Sequence, residues 1–291
     1  MRYRVTHETR FEYAQSVSIS QQLLRITPRP TPMQIINDTQ ITISPDPELS
    51  RHWNDYFDNQ IAQVTLERAH HTLSIVGRSD VEVIARDTLL TSLSESWETT
   101  ATTVLSPGNP QAFAAAPFCY PSPYVGISPD IRDYASESFA PERPVLDAVM
   151  DLNHRIYVDC DYRGGVTDVW TAPAEVLKRR EGVCQDFAHL AIASLRAFGL
   201  PARYVSGYLR THPPPGTEKL KGADESHAWI SVWSNAFGWV DFDPTNDLMP
   251  SEEHITIAWG RDYGDVSPIN GFIVGGGSHT LHVGVDVEPI G

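Results

Sequence analysis

The sequence predicts an α+β protein in which an all-β part precedes a part that mixes helices and strands. Up to residue 83, apolar and polar residues alternate in short runs, as they do in the strands of antiparallel sheets. Beyond residue 128, apolar residues recur at helical spacing, and strand-like runs lie between these segments. The length of 291 residues favours two domains over one.

The first predicted domain covers residues 1–105. Clusters of proline and aspartate separate its short alternating runs, for example at residues 27–32 (TPRPTP) and 44–47 (SPDP). Frequent breakers between short strands are typical of an antiparallel sandwich. We therefore predict an N-terminal β-sandwich domain.

A proline-rich segment at residues 106–127 contains too many helix and strand breakers for one regular element. We predict that it connects the two domains and that the second domain covers residues 128–291. Ser128 followed by a proline is a typical helix start. The apolar spacing over residues 145–156 predicts a further helix.

Another helix is predicted to begin at Cys184, because a glycine turn precedes it and one apolar stripe follows. The stripe consists of Val183, Phe187, Leu190, Ala191, Leu195 and Phe198. The Gly-Leu-Pro run at residues 199–201 ends the helix. Since the first N–H groups and the dipole of a helix stabilise a thiolate, Cys184 is a candidate nucleophile. Cys119 and Cys160 lack such a context and are predicted to be packing residues.

Strands are predicted at residues 202–209, 226–233 and 239–243, and an exposed loop at residues 211–222. The last two strands are joined by a connector of hairpin length. The three glycines at residues 275–277 are followed by a strand pattern, which favours a hairpin turn over a phosphate-binding loop.

The hairpin suggests a base for the thiol. If Trp233 lies opposite Trp239, Asp243 lies opposite Trp229 and is the diagonal neighbour of His227 on the paired strand. The backbones of such diagonal neighbours lie about 7 to 8 Å apart. A carboxylate at that distance reaches an imidazole N–H. Asp241 lies too far along the strand, and Asp247 follows a proline, beyond the expected pairing.

The composition excludes some classes of partner. With 22 basic and 37 acidic residues, the formal net charge is −15, which disfavours nucleic acids and anionic membranes. The sequence shows neither a signal peptide nor a membrane-spanning run, so we expect a cytoplasmic protein. Three distant cysteines suggest no disulfide framework, and the histidines show no ligand spacing, so no metal or cofactor is predicted.

Three motifs resemble those of the transglutaminase-like superfamily in order and spacing. They are residues 180–189 (REGVCQDFAH), residues 199–208 (GLPARYVSGY), and the pair formed by residues 227–229 (HAW) and 238–245 (GWVDFDPT). Residues 3–11 (YRVTHETRF), 24–29 (LRITPR) and 260–268 (GRDYGDVSP) resemble the bacterial form of the family, which has an N-terminal β domain.

The resemblance implies a papain-like or transglutaminase-like core. It also implies Cys184 as nucleophile, His227 as base and acid, and Asp243 as the residue that orients His227, with a peptide or protein as substrate. The hairpin register independently selects the same histidine and aspartate.

Thiol attack on an amide or peptide carbonyl forms a thioester, which either water or an amine can resolve. The triad does not distinguish hydrolysis from transamidation. Trp170 is a candidate oxyanion donor, and Tyr208 and Trp229 are candidates for the lining of a substrate cleft. A catalytically silent scaffold that binds peptides or proteins is the alternative. Acyl transfer from a thioester donor such as acetyl-CoA requires a basic phosphate site, which the sequence does not reveal.

Overall fold

The computed structural model describes residues 1–86, 88–212 and 224–290. The predicted loop at residues 211–222 therefore lies, except for its first two residues, outside the described part of the chain. Strands hold 43% of the residues and helices 24%, which confirms the α+β class. Within the described ranges, no helix is both long and apolar enough to cross a membrane.

The strands are β1 (Arg2–Leu24), β2 (Gln34–Ser44), β3 (Leu49–Asn54), β4 (Gln60–Leu66), β5 (His70–Val83), β6 (Asp161–Tyr162), β7 (Glu181–Gly182), β8 (Ala202–Leu209), β9 (Glu225–Ser234), β10 (Gly238–Phe242), β11 (His254–Gly260), β12 (Ile269–Gly275) and β13 (His279–Pro289). The α-helices are α1 (Trp97–Thr103), α2 (Pro110–Phe113), α3 (Pro129–Ser136), α4 (Val145–Asp159), α5 (Pro173–Arg179), α6 (Cys184–Ala197) and α7 (Tyr263–Val266). Two short 3₁₀ helices cover Thr91–Leu93 and Ala116–Cys119.

The N-terminal β-rich domain is built around the 23-residue strand β1. Its sheet has the strand order β2-β5-β1-β4-β3, with antiparallel pairing throughout. Alternate residues of β1, such as Tyr3, Val5 and His7, are buried, as expected of a strand with one face on the core. The alternating runs of the sequence thus correspond to strands.

The last two strands of the chain also belong to this sheet. β12 pairs with residues 17–24 of β1, and β13 pairs with residues 3–13, both antiparallel. The prediction of a hairpin turn at the glycines is therefore wrong, because β12 and β13 follow each other along the same edge of β1. Gly275, Gly276 and Gly277 have φ values of 95°, 86° and 63°, which let the chain pass from one strand to the other.

The segment predicted to be an irregular connection, residues 106–127, contains the short helices α2 and Ala116–Cys119. Ahead of it, Glu95 contacts the second domain. The Glu95 carboxylate accepts hydrogen bonds from the backbone N–H of Asn235 at 2.6 Å and from the Ser234 hydroxyl at 3.0 Å. Both residues lie where β9 turns into β10. Glu95 therefore holds the turn of the hairpin that carries His227.

The second domain places α6 against a four-stranded antiparallel sheet with the order β10-β9-β8-β11. The pairing of Trp239 with Trp233 confirms the register predicted for the hairpin. The predicted starts of α3, α4 and α6 are also confirmed, and the Ser128 hydroxyl accepts the N–H of Ile131 at the start of α3. Gly199, with φ of 73°, follows the end of α6.

Candidate active site

Cys184 is the first residue of α6 and is partly exposed. The buried Asp186 carboxylate accepts the backbone N–H of Val183 at 2.8 Å and the Thr167 hydroxyl at 2.7 Å, and so fixes the chain before the cysteine. A Cβ at Gly182 would lie 2.8 Å from the Asp186 Oδ2 atom, so only glycine fits there. The Cys184 N–H has no acceptor within its own helix, as at every helix start.

His227 and Asp243 come together across the hairpin. The His227 Nε2 atom donates to Asp243 Oδ2 at 2.7 Å, and Asp243 is fully buried. The other two carboxylates of this region have different partners. Asp241 accepts the indole N–H of Trp229 at 3.3 Å, and Asp247 lies 2.7 Å from His154 Nδ1. Asp243 is therefore the hairpin carboxylate that holds His227.

Cys184 interacts with His227, since it is one of the two residues that raise the pKa of this imidazole. Because Nε2 of His227 is bonded to Asp243, Nδ1 is the ring nitrogen left for the sulfur. Burial acts to lower the pKa of His227, but the hydrogen bonds and charges of Asp243 and Cys184 outweigh it and raise the pKa to about 10. The raised pKa favours the imidazolium form of the ring, which lies between a sulfur and a carboxylate.

The Asp243 carboxylate receives five hydrogen bonds from the described residues. Oδ2 accepts from His227, from Asn246 Nδ2 at 2.7 Å and from His254 Nε2 at 3.1 Å. Oδ1 accepts the backbone N–H groups of Thr245 at 2.9 Å and Asn246 at 3.2 Å. Burial alone would raise the pKa of Asp243, but these donors, His227 first, hold it well below its usual range.

The sequence did not reveal His254 and Asn246. His254 opens β11, which pairs with β8 and not with the hairpin strands, so hairpin geometry has no bearing on it. A signal was available for Asn246, since an aspartate followed by Pro-Thr-Asn favours a turn in which the aspartate side chain accepts backbone N–H groups.

Within the described chain, one group of residues could hold a metal ion. It consists of His227, Asp243 and His254, whose possible ligand atoms all lie within 4.8 Å of one another. In the structure both imidazole N–H groups donate to the same carboxylate oxygen. The hydrogen bonds account for the cluster without an ion. The absence of a metal, expected from the sequence, stays a prediction.

The other candidate residues lie in different surroundings. Trp170 is 70% exposed and stacks on Tyr124 with ring centroids 4.8 Å apart. Its loop adjoins the start of α6, because Gln185 Nε2 donates to the Val169 carbonyl at 3.3 Å. Tyr208 is buried, with its hydroxyl 2.6 Å from His7 Nδ1 in the N-terminal domain.

Trp229 is also fully buried, and its ring contacts His254 edge to face at 5.2 Å. Tyr208 is thus buried against the N-terminal domain, whereas Trp229 lines a cavity beside the four-stranded sheet. That either residue contributes to a substrate cleft stays a prediction. Both residues support the strands that carry the site, whereas Trp170 is exposed beside it.

The remaining thiols and the nearest other histidine differ from the Cys184 and His227 pair. Burial raises the pKa of Cys119 to about 12 and that of Cys160 to about 11. Burial likewise lowers the pKa of His189 to about 3, and its Nε2 accepts the backbone N–H of Tyr263 at 3.2 Å. His189 is thus occupied as a neutral acceptor.

Comparisons with known proteins agree with this geometry. The family described as transglutaminase-like superfamily matches residues 132–244, and the bacterial transglutaminase-like N-terminal region matches residues 3–82. An uncharacterized protein of Mycobacterium tuberculosis is 40% identical over 99% of this chain and 93% of its own length.

A crystal structure described as a "Putative Cysteine Protease" from Cytophaga hutchinsonii has a TM-score of 0.74 at 23% identity, covering all of this chain and 92% of that chain. At that identity the likeness shows a shared fold. The protein-glutamine gamma-glutamyltransferase of Pseudomonas aeruginosa is 38% identical over 72 residues, which are 24% of this chain and 11% of that protein.

Proposed function

We propose that this chain, which belongs to the transglutaminase-like superfamily and has its bacterial N-terminal region, is a cysteine enzyme that attacks amide or peptide carbonyls. The observation that carries the proposal is the placement of His227, which bonds to the buried Asp243 carboxylate at 2.7 Å and interacts with Cys184 on its other side. A packing cysteine needs neither a charged imidazole nor a buried carboxylate behind that imidazole.

In the first step, the Cys184 thiolate attacks the carbonyl carbon of the substrate, and a carbon–sulfur bond forms. The tetrahedral intermediate then collapses, the carbon–nitrogen bond breaks, and the His227 imidazolium gives its proton to the departing amine. The product bound to the enzyme is a thioester. Asp243 keeps the imidazole in one orientation and one tautomer throughout.

In the second step, neutral His227 takes a proton from the acceptor, which attacks the thioester and releases the thiolate. Water as acceptor gives hydrolysis, and a primary amine gives transamidation. The backbone N–H of Cys184 would stabilise the oxyanion in both steps, and the indole of Trp170 is the candidate second donor. Both acceptors use the same residues, so the proposal covers both.

The test follows both acceptors at once. A glutamine-containing peptide is incubated with the protein, with and without a labelled primary amine, and ammonia release and product mass are measured. The name of the Pseudomonas aeruginosa relative makes a glutamine side chain the first carboxamide to try. Incorporated label indicates transamidation, and free acid or a cleaved peptide indicates hydrolysis.

Matched cysteine variants make the test specific. Cys184→Ala should abolish both products, whereas Cys160→Ala should retain them, because Cys160 is buried away from His227.

Iodoacetamide alkylation separates an enzyme from a silent scaffold of the same fold. The proposal fails if Cys184 reacts no faster at pH 6 to 7 than an ordinary thiol, and if His227→Ala leaves its rate unchanged.

A further inference from the structure

A cavity of about 1010 Å³ lies on the face of the four-stranded sheet that carries Arg203 and Trp229. Arg203 alternates along β8 with Tyr204, which packs in the core with α6, so the cavity is on the side of the sheet away from that helix. The N-terminal domain closes its other side. Six of the residues that line it are Met33, Ile84, Leu90, Arg203, Trp239 and Trp259.

Arg203 is a buried cation whose Nε atom has no hydrogen-bond partner in the described part of the chain. It is 7% exposed, and its guanidinium lies between the rings of Trp259 at 3.6 Å and Trp239 at 4.2 Å. Its buried Nε atom has no acceptor in residues 1–86, 88–212 and 224–290, and no carboxylate in those ranges forms an ion pair with it. The two rings fix the plane of the guanidinium and leave its polar edge unused.

Arg29 in the same stack also has a buried Nε without an acceptor, but its Nη1 atom has two partners in the described chain. It covers the Trp259 ring at 3.2 Å, but donates to Asn59 Oδ1 at 2.6 Å and to the Phe57 carbonyl at 3.1 Å. Arg29 thus has a structural role that its partners explain. The same explanation does not apply to Arg203.

Asp241 is the acidic residue whose charge acts on the pKa of Arg203. Burial lowers the pKa of Arg203 to about 9, and the charge of Asp241 opposes that change without forming an ion pair. Asp241 instead accepts the indole N–H of Trp229. An unpaired buried charge is costly, and a carboxylate that forms two parallel hydrogen bonds is the partner that suits a fixed guanidinium best.

His254 supplies a second unused polar atom in the cavity lining. It is 7% exposed, and Nδ1 has no partner within the described chain. Since Nε2 donates to Asp243, Nδ1 is the ring nitrogen left for a ligand. His254 pairs with Leu209 on β8, six residues from Arg203, a separation of about 20 Å at 3.3 Å per residue.

We propose that this cavity binds the C-terminal segment of an apolar peptide, with the terminal carboxylate on the Arg203 guanidinium. The aliphatic and tryptophan walls would cover the side chains, and a backbone N–H of the peptide would donate to His254 Nδ1. About six extended residues span the distance from Arg203 to His254. His254 belongs both to the cavity lining and to the hydrogen bonds of Asp243, so the two sites adjoin, but the proposed binding requires no reaction at Cys184.

Binding is measured by calorimetry with the full-length Cys184→Ala chain, so that turnover does not interfere. The probes are an N-acetylated hexapeptide of alternating alanine and leucine with a free C-terminal carboxylate, the same peptide as its C-terminal amide, and decanoate. We expect the free acid to bind at least tenfold more tightly than the amide. Equal affinities, or no binding of the free acid, would overturn the proposal.

Variants locate the binding to the cavity. Arg203→Gln should remove the preference for the free acid, and Arg203→Lys should retain part of it. Leu90 is a mostly exposed residue of the lining and tests the site without disturbing the stack. Leu90→Glu should weaken binding of the free acid relative to Leu90→Gln, because it adds a negative charge. A preference that survives both Arg203→Gln and Leu90→Glu, or tighter binding of decanoate than of the peptide, contradicts the assignment.

Discussion

Single residues near the hairpin show how position decides what a carboxylate does. Asp243 and Asp247 each lie 2.7 Å from a histidine nitrogen, yet only the histidine of Asp243 contacts Cys184. The Asp247 partner, His154, is exposed on α4. The two pairs have the same chemistry and differ in what lies beyond the imidazole.

This contrast provides a matched test of Asp243. Asp243→Asn should lower kcat/KM by about 10²-fold to 10⁴-fold, because an amide neither stabilises the imidazolium nor fixes its tautomer. Asp247→Asn should leave kcat/KM nearly unchanged. The measurement is steady-state kinetics on the amide substrate identified for the wild type. Similar losses in both variants would mean that Asp243 supports only the fold.

The charge on His227 predicts a pH dependence of stability. Its pKa is raised from 6.5 in the unfolded chain to about 10 in the folded protein. The resulting stabilisation is therefore complete below pH 6.5 and is lost as the pH rises through 10. The free energy of unfolding is measured in urea at pH 6, 8 and 10. Between pH 6 and pH 10, it should fall more for the wild type than for His227→Gln. Parallel pH curves for the two proteins would exclude a charged His227.

Among single residues, the sequence was sufficient to predict those site residues that one hairpin brings together. The register fixed by Trp233 and Trp239 places Asp243 beside His227, and Asp241 farther away. It was insufficient for His254, which reaches Asp243 from a strand on the far side of β8. A contact between strands that are distant in the sequence leaves no periodic signal in either strand.

Among the elements, β8 has to leave room for the tryptophan of its neighbour. Trp229 of β9 lies across Gly207 of β8, where a Cβ would be 2.3 Å from the ring and 2.3 Å from the Ile255 carbonyl oxygen. The same indole packs against His254 and donates to Asp241. The glycine therefore leaves room for the Trp229 ring, which in turn packs against the His254 that bonds to Asp243.

Gly207→Ala should lower the free energy of unfolding by about 1 to 3 kcal/mol or more, since neither a strand carbonyl nor a buried indole can move aside freely. Gly126→Ala is the control, because nothing lies within 4 Å of a Cβ there. Its effect should stay within about 0.5 kcal/mol. Urea unfolding of both variants measures the difference, and equal values would show that β8 and β9 shift without cost.

Helices and strands differed in how well the sequence predicted them. The starts of α3 and α6 carry local signals, a serine cap with a proline and a glycine turn, and both were predicted. The short helices α1 and α2 were not, because each is too brief to show a periodic apolar stripe. The passage from β12 to β13 was mistaken for a hairpin because a glycine turn and a glycine bulge look alike in sequence.

On the scale of the whole molecule, the two ends of the chain complete one core. β13 pairs with β1, and Val285 and Val287 lie in the same buried cluster as Tyr3, Val5 and the apolar face of α6. This cluster crosses the boundary between the predicted domains. The sequence did not indicate it, since strand pairing between the first and last residues is a property of topology and not of local pattern.

A shared core predicts that both parts of the molecule unfold together. Val287→Ala removes two methyl groups from a fully buried position, so it should lower the free energy of unfolding by about 1.5 kcal/mol, at about 0.8 kcal/mol per group. Val283 is an exposed residue of the same strand, so Val283→Ala should change the free energy of unfolding little. Six of the seven tryptophans follow residue 96, so tryptophan fluorescence reports mainly on the second domain, while far-UV circular dichroism also reports on the N-terminal sheet.

In urea, the midpoints from the two probes should coincide in the wild type and shift together in Val287→Ala. The substitution lies in the N-terminal sheet, so a shift in fluorescence means that its effect crosses to the sheet and helix that carry the candidate triad. If only the circular dichroism transition moved, the domains would unfold independently. The N-terminal strands would then be an attachment to the catalytic fold and not a part of its core.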